Sequence, residues 1–299
     1  MLSRRRFLQA ALAMAAGAGG TPVWSEARNK GLECLNLAFM CWRIGDILDF
    51  DAQVQWVKEA GFESIAFHAS PGHPGKWRGV DPAQTDAQER QRLRDLLAPF
   101  KCREIHAPFS AELAHETPAA VLRQLETTFA FAGDVGANVV TVHPNPPKLD
   151  VPDTAAWQNA LDQLERAAEA AGIQVGIEFM QGFEWLRNPP RKHIGVTLDI
   201  GHMYLNDGAG HKPYDGIGNL ISFLDDLLVH VHIHDYDGEH DHIEIGTGHI
   251  DFDAVLAALA GIGYRGMLCL ELNPERVTPE GIKRSAEFLR RRARELGLV

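Results

Sequence analysis

Short apolar runs rich in β-branched residues recur along the chain, and most are followed by a longer amphipathic segment. Runs of the first kind predict strands, and segments with apolar positions three or four residues apart predict helices. The predicted strands are Leu35–Met40, Glu63–His68, Lys101–His106, Asn138–His143, Ile173–Glu178, Val196–Asp199, Leu228–His234 and Met267–Glu271. The predicted helices are Asp51–Gly61, Thr85–Phe100, Thr117–Gly136, Asp153–Gly172, Ile217–Leu227, Asp251–Gly263 and Thr278–Leu296.

This alternation of strands and helices predicts an α/β fold with a parallel sheet. Eight such units predict a single-domain (β/α)8 TIM barrel, whose functional site lies at the carboxyl ends of the strands. Polar residues occur at these ends: His68, His106, His143, Glu178, Asp199, His232 and Glu271. We therefore expect these side chains to converge at one mouth of the barrel. An open doubly wound sheet would scatter them, and the chain has no GxGxxG loop to support that fold.

The predicted strand Leu228–His234 carries three histidines, His230, His232 and His234. They share one face because side chains alternate along a strand. Core packing explains a lone histidine, but three buried imidazoles on one face need partners, and histidine is the commonest metal ligand. Asp199 and His202 follow the preceding strand. The pattern therefore predicts a metal site between these two strands.

Composition restricts the partners of the protein. The 299 residues are enough for one barrel, and the formal net charge is -11. An acidic surface repels nucleic acid and anionic membranes, so we expect no nucleic-acid partner. The four cysteines match no CxxC metal or redox spacing. The sequence does not predict the oligomeric state.

The first residues have the pattern of an export signal rather than of a fold. The string SRRRFLQ at residues 3–9 precedes an apolar run from Ala10 to Ala18 and small residues near Ser25–Ala27. A basic segment before a short apolar run is typical of a secretory signal, and the run is too short for a mature membrane helix. The string resembles the twin-arginine export motif. We expect residues 1–27 to be a twin-arginine signal peptide recognised by that export machinery, and residues 28–299 to form a periplasmic protein without a stable membrane anchor.

Four motifs resemble the xylose isomerase-like superfamily of TIM barrels. They are GFESIAF at the second strand, HAPF at the third, VTLDIGH at the sixth, and HVHIHDYDG with DHIEIGTGHIDF around the seventh. The superfamily includes sugar phosphate isomerases and epimerases, keto-sugar 3-epimerases and endonuclease IV. The resemblance extends from about Leu35 to the C-terminus.

The epimerase-like members of this superfamily bind one divalent metal, and the resemblance implies the same here. Their metal ligands match Glu178, Asp199, His232 and Glu271. The resemblance also implies that His202 and His242 contact substrate. Mixed carboxylate and imidazole ligands suit Mn²⁺, our first expectation, and also Zn²⁺, Co²⁺ or Mg²⁺. We further expect His68, His106 and His143 to contact substrate, with an additional metal as the alternative for His106 and His143.

The endonuclease IV-like members use a larger ligand set for three metals. His106, His143, His202 and His242 match that set, but His240 stands where those enzymes have an aspartate. Two other departures concern the substrate. Ala66 replaces a glutamate that is frequent on the second strand, and Gly238 replaces the arginine that keto-sugar epimerases use.

The leading hypothesis is an exported, metal-dependent sugar isomerase or epimerase. Glu178 and Glu271 lie on well-separated strands, so one can remove a proton next to a carbonyl and the other can return it. A keto-sugar lyase shares this first step and expels a leaving group instead. The alternatives from other classes are an endonuclease IV-like phosphodiester hydrolase and a non-catalytic sugar- or metal-binding protein.

Overall fold

The computed structural model describes residues 35–73, 76–114, 116–145, 155–187 and 189–299. The predicted signal peptide, residues 1–27, lies outside the described residues, as does the predicted helix start at Asp153. Contacts divide the chain after Lys30, and all of the described residues belong to the second unit. No helix within the described ranges has the length and apolar character needed to cross a membrane.

Eight parallel strands close into a barrel in sequence order, which confirms the predicted fold. The first and last strands pair through Leu37 with Leu268 and Phe39 with Leu270. The strands are β1 Leu37–Cys41, β2 Ser64–His68, β3 Arg103–His106, β4 Val139–Val142, β5 Gln174–Ile177, β6 Ile194–Asp199, β7 Leu228–Ile233 and β8 Leu268–Leu270. Each begins within four residues of its predicted start.

Helices cover the outside of the barrel, and four of them begin at side chains that cap them. Asp49, Asp86, Asp251 and Thr278 accept hydrogen bonds from backbone N–H groups three residues further on. The helices of eight or more residues are α1 Phe50–Glu59, α2 Ala87–Leu97, α3 Ala119–Val135, α4 Ala155–Ala171, α5 Ile217–Leu224, α6 Phe252–Gly261 and α7 Pro279–Glu295. Between β5 and β6 the described residues contain only a 3-10 turn, Phe183–Leu186.

Two apolar clusters stabilise the barrel. The larger cluster fills the space between the strands and the helices. The smaller cluster lies inside the barrel and consists of Ala38, Met40, Ala66, Val139, Met267 and Cys269. Ala66, where the resemblance led us to expect a glutamate, is thus part of the interior packing.

Above this apolar floor the barrel interior becomes polar. Glu104 and Thr141 are fully buried, and the Thr141 hydroxyl donates to Glu104 at 2.7 Å. Thr197 is also fully buried and lies 3.0 Å from Thr141, hydroxyl to hydroxyl. Strand β5, between the strands of these two threonines, carries Gly176. A Cβ at this position would overlap the Thr197 hydroxyl, so only glycine fits. These groups lie directly beneath the polar strand ends at the barrel mouth.

Candidate active site

Four ionisable side chains meet at the carboxyl ends of β5 to β8. Glu178 and Glu271 directly follow β5 and β8, Asp199 ends β6, and His232 lies near the end of β7. His232 Nδ1 lies 3.0 Å from Glu271 Oε2 and 3.3 Å from Glu178 Oε2. One ligand atom each from Glu178, Asp199 and His232 lies within 4.8 Å of the others. The structure therefore brings together the four residues expected to hold a metal.

The unpaired atoms of this cluster fit a divalent cation. Asp199 Oδ2 is buried and has no hydrogen-bond partner, and the buried His232 Nδ1 faces two carboxylates without a well-aligned hydrogen bond to either. Buried polar atoms rarely remain unpaired, because losing water without a replacement partner is costly. Three buried carboxylates close together also repel one another unless a cation lies between them. The donor set of carboxylates and one imidazole suits Mn²⁺, Zn²⁺, Co²⁺ or Mg²⁺.

Asp199 is held so that only one of its oxygens remains available. Its Oδ1 accepts the backbone N–H of His202 at 2.8 Å and lies 2.9 Å from His234 Nε2. His234 Nδ1 in turn accepts the backbone N–H of His242 at 2.8 Å. His234 is fully buried beside Asp199.

His232 is held from the other side by Glu104, which the sequence analysis missed. Glu104 Oε1 accepts from His232 Nε2 at 2.7 Å, and Glu104 Oε2 accepts from His230 Nε2 at 2.7 Å. The signal was present in the sequence. Glu104 lies two residues before His106 on β3, so the alternation of side chains places both on the inner face.

His202 and His242 lie above the carboxylates. His202 Nδ1 lies 3.1 Å from Glu178 Oε1. The Nε2 atoms of His202 and His242 are 3.2 Å apart. Burial alone would lower the pKa of His202, but Asp199 and the hydrogen bond to Glu178 raise it to about 10. His242 Nδ1 donates to the carbonyl of Glu271 at 2.7 Å. The His242 backbone has a φ of +50°, a strained conformation of the kind found at functional sites.

The histidines of β2, β3 and the loop after β4 form a chain toward Glu178. His143 Nε2 donates to Glu178 Oε2 at 3.0 Å, and His106 Nε2 lies 3.2 Å from His143 Nε2. His106 Nδ1 donates to the Ala107 carbonyl at 2.8 Å. The His68 ring packs 4.6 Å from the His106 ring, centroid to centroid.

His68 lies deeper than the sequence led us to expect. It is fully buried, and neither ring nitrogen has a hydrogen-bond partner. Its ring lies about 5 Å from those of Trp42, Trp77 and Phe109, which separate it from the cavity. Burial lowers the pKa of His68 well below its usual value, so this imidazole is neutral.

A cavity of about 380 Å³ opens above these four clustered residues. Glu178 and Glu271 reach it, whereas Asp199 and His232 lie behind them. Its walls are aromatic and imidazole rings, and Arg43 and Lys76 also border it. The lining includes Trp42, Trp77, Phe109, His143, His202 and His242. A small polyhydroxylated ligand fits a cavity of this kind, because aromatic faces and a few polar groups both contact it.

Two of the further groups of ligand atoms adjoin the central one through a carboxylate. His106, His143 and Glu178 form the first, and Asp199, His202, His234 and His242 form the second. Each shares one carboxylate with the central cluster. His240 belongs to neither, since its side chain is 39% exposed and lies 3.5 Å from Asp237.

The chain belongs to the xylose isomerase-like TIM barrel family, whose model matches residues 54–292. It is 24% identical over 255 residues to the L-ribulose 3-epimerase of Mesorhizobium japonicum, with 78% of each chain covered. It is 26% identical over 249 residues to the ketose 3-epimerase of Arthrobacter globiformis, covering 74% of this chain and 78% of that one.

Two other relatives carry less functional information. An uncharacterized protein of Methanocaldococcus jannaschii is 28% identical over 201 residues, which are 56% of this chain and 63% of that protein's length. The crystal structure of a xylose isomerase domain protein from Planctomyces limnophilus superimposes with a TM-score of 0.68 at 16% identity. It covers 89% of this chain and 100% of that one, which supports the fold.

Proposed function

We propose that the protein is a divalent-metal-dependent epimerase or isomerase of keto-sugars. The observation that carries this proposal is the placement of Glu178 and Glu271. They come from non-adjacent strands, both contact His232 Nδ1, and both reach the cavity floor. Two relatives are a ketose and a ribulose 3-epimerase, which supports sugar epimerisation as the reaction class.

The two glutamates would exchange a proton with the carbon next to the substrate carbonyl. One removes the proton and the other returns it from the opposite side, which inverts the configuration of that carbon. A divalent ion bound among Glu178, Asp199, His232 and Glu271 would polarise the carbonyl and stabilise the enediolate. Mn²⁺ fits this role and this donor set, with Zn²⁺, Co²⁺ and Mg²⁺ as alternatives.

Other cavity residues would bind and orient the sugar. His202 and His242 lie beside Glu178 and the Glu271 backbone, where ring N–H groups can donate to hydroxyls. His143 lies on the opposite wall and donates to Glu178. Trp42, Trp77 and Phe109 offer faces on which a sugar ring can stack. The neutral His106 and His68 lie behind that wall and support it.

Deuterium exchange tests this proposal. D-allulose and L-ribulose, each incubated with manganese-loaded protein in D₂O, should gain deuterium on the carbon next to the carbonyl as the epimer appears. A lyase would also exchange that hydrogen, but it would release a leaving group from a glycoside. A protein that only binds sugar would bind these ketoses without exchange.

A phosphodiester hydrolase is the second candidate. The observation that favours it is the presence of two further ligand groups that share Glu178 and Asp199 with the central cluster. The net charge of -11 and the position of His240 beside Asp237 oppose it. A hydrolase would bind three metal ions per chain, incorporate solvent oxygen into its product and leave carbon-bound hydrogen unexchanged.

We also propose that the protein reaches the periplasm through the twin-arginine machinery. The support is the SRRRFLQ string before the short apolar run. Changing both Arg4 and Arg5 to lysine should stop export, because lysine does not reproduce the guanidinium pair. Cell fractionation of the full chain measures this, and a double variant that still reaches the periplasm would contradict it.

A further inference from the structure

We propose that Glu104 is a positioning residue that fixes the tautomer and ring orientation of His232, so that Nδ1 points at the divalent ion. This inference rests on the proposed metal site. Glu104 does not line the cavity and cannot touch substrate, since it is completely buried inside the barrel. It acts through His232 alone.

The geometry determines which nitrogen of His232 carries hydrogen. An ionised carboxylate only accepts hydrogen bonds, so the 2.7 Å contact with Glu104 Oε1 requires a hydrogen on Nε2. The pair is buried, and such charge-assisted hydrogen bonds are strong. Nδ1 is then the nitrogen that faces Glu178 and Glu271, and it makes no well-aligned hydrogen bond to either. A carboxylate behind a ligating imidazole in this way raises its basicity and fixes its direction.

Glu104 is itself prevented from rotating. Oε1 also accepts from the Thr141 hydroxyl at 2.7 Å, and Oε2 accepts from His230 Nε2 at 2.7 Å. Its strand neighbours in register are Ala66 and Val139, which leave space on either side for the glutamate but offer it no other partner. Both oxygens are therefore used, and the side chain forms a rigid support under His232.

The same atoms do not form a metal site of their own. Glu104, His230, His232 and Cys269 have ligand atoms within 4.8 Å of one another, and all four residues are buried. However, the two nitrogen–oxygen distances of 2.7 Å are hydrogen-bond distances. Two atoms bound to one zinc ion at roughly 2.0–2.2 Å in a tetrahedral site lie more than about 3 Å apart. The carboxylate thus accepts hydrogen bonds from the two imidazoles and does not bind a metal ion.

The test compares metal affinity with fold stability in purified full-length variants. Glu104→Leu removes both acceptors, and we expect it to weaken Mn²⁺ binding about 10–100-fold in competition with a chelator. Glu104→Gln keeps one oxygen for His232 and can offer its amide to His230, so we expect it to retain most of the affinity. Ser285→Ala is the control, because Ser285 is also fully buried but bonds the backbone of Ile245 and Gly281. It should lower the melting temperature and leave the affinity unchanged.

A spectroscopic measurement on the wild-type protein does not depend on the variants folding. With ¹⁵N-labelled histidine and bound Zn²⁺, NMR should show His232 bound through Nδ1 and a slowly exchanging hydrogen on Nε2. Zinc on Nε2, or no such hydrogen, would overturn the proposal. Equal affinity of Glu104→Leu and wild type would also overturn it and leave the proposed function intact. A wild-type protein that binds no divalent ion would contradict both.

Discussion

Both halves of the barrel mouth contain histidines, but only one half also contains carboxylates. Strands β5 to β8 supply three carboxylates, whereas β2 to β4 end in histidines without a carboxylate at the mouth. The carboxylates are Glu178, Asp199 and Glu271, and the histidines are His68, His106 and His143. The chain thus has an acidic half that suits a cation and an imidazole half that lies across the cavity from it.

The charge of each histidine follows from its neighbours. Burial lowers the pKa of His68 and of His106, which are therefore neutral. Burial acts on His232 too, but in the metal-free protein Glu104 and Glu271 outweigh it and raise the pKa well above its usual value. A cation bound at Nδ1 would take the place of the second ring proton. His143 lies at the boundary, where Glu178 raises its pKa against the effect of burial. A buried imidazole is thus charged only where a carboxylate touches it.

The largest expected effect concerns turnover by the acidic half. Glu178→Gln and Glu271→Gln should each lower kcat about 10²–10⁴-fold, because an amide cannot accept the proton. An amide oxygen can still coordinate, so both variants should hold Mn²⁺ better than Asp199→Ala does. Steady-state kinetics with a ketose, with the metal content of each sample measured, tests this. Normal turnover at full metal content would leave the glutamates as ligands only.

The second prediction compares metal binding by the two halves. Asp199→Ala should weaken Mn²⁺ binding by more than the roughly 10–100-fold that loss of an outer partner costs. His106→Phe is the matched variant from the imidazole half, and it should keep the wild-type affinity for one ion. Chelator competition measures both. Loss of metal from His106→Phe would favour a three-metal hydrolase. It would also contradict the account in which only the acidic half binds metal.

The third prediction concerns the pH dependence of the metal-free protein. The pKa of His202 is about 10 in the folded protein, compared with an ordinary histidine pKa of 6.5. The native state binds the His202 proton more tightly than the unfolded state does. This binding stabilises the native state fully below pH 6.5, and the contribution is lost as the pH rises through 10. The melting temperature should therefore decrease as the pH rises from 6.5 to 10. His202→Asn should show a flatter profile, and an unchanged slope in this variant would contradict the assignment.

The smallest effect is expected at His68. Both of its ring nitrogens are buried without a partner, so replacing the imidazole by an apolar side chain removes no hydrogen bond. His68→Leu nearly conserves the side-chain volume and should change the free energy of unfolding by less than about 1.5 kcal/mol. Urea denaturation measures this. A loss of several kcal/mol would mean that His68 has a polar partner in solution, and a raised KM would indicate contact with substrate.

The sequence was sufficient for the fold because strands and helices leave periodic patterns. The eight strands and the helices around them follow the predicted order, and Glu178, Asp199, His232 and Glu271 converge as expected. Depth within the barrel was harder to predict. His68 and Glu104 are both on inward faces, but the sequence does not show that aromatic rings cover one and that two histidines pair with the other. Such contacts depend on the closure of the barrel.

Anomalous diffraction from crystals grown with Mn²⁺ tests the central claim most directly. We expect one manganese peak per chain, bounded by Glu178, Asp199, Glu271 and the Nδ1 atom of His232, with Glu104 still bonded to Nε2. Peaks at His106 with His143, or at His202 with His242, would contradict the single-metal account. So would crystals at saturating Mn²⁺ with no peak among the four residues.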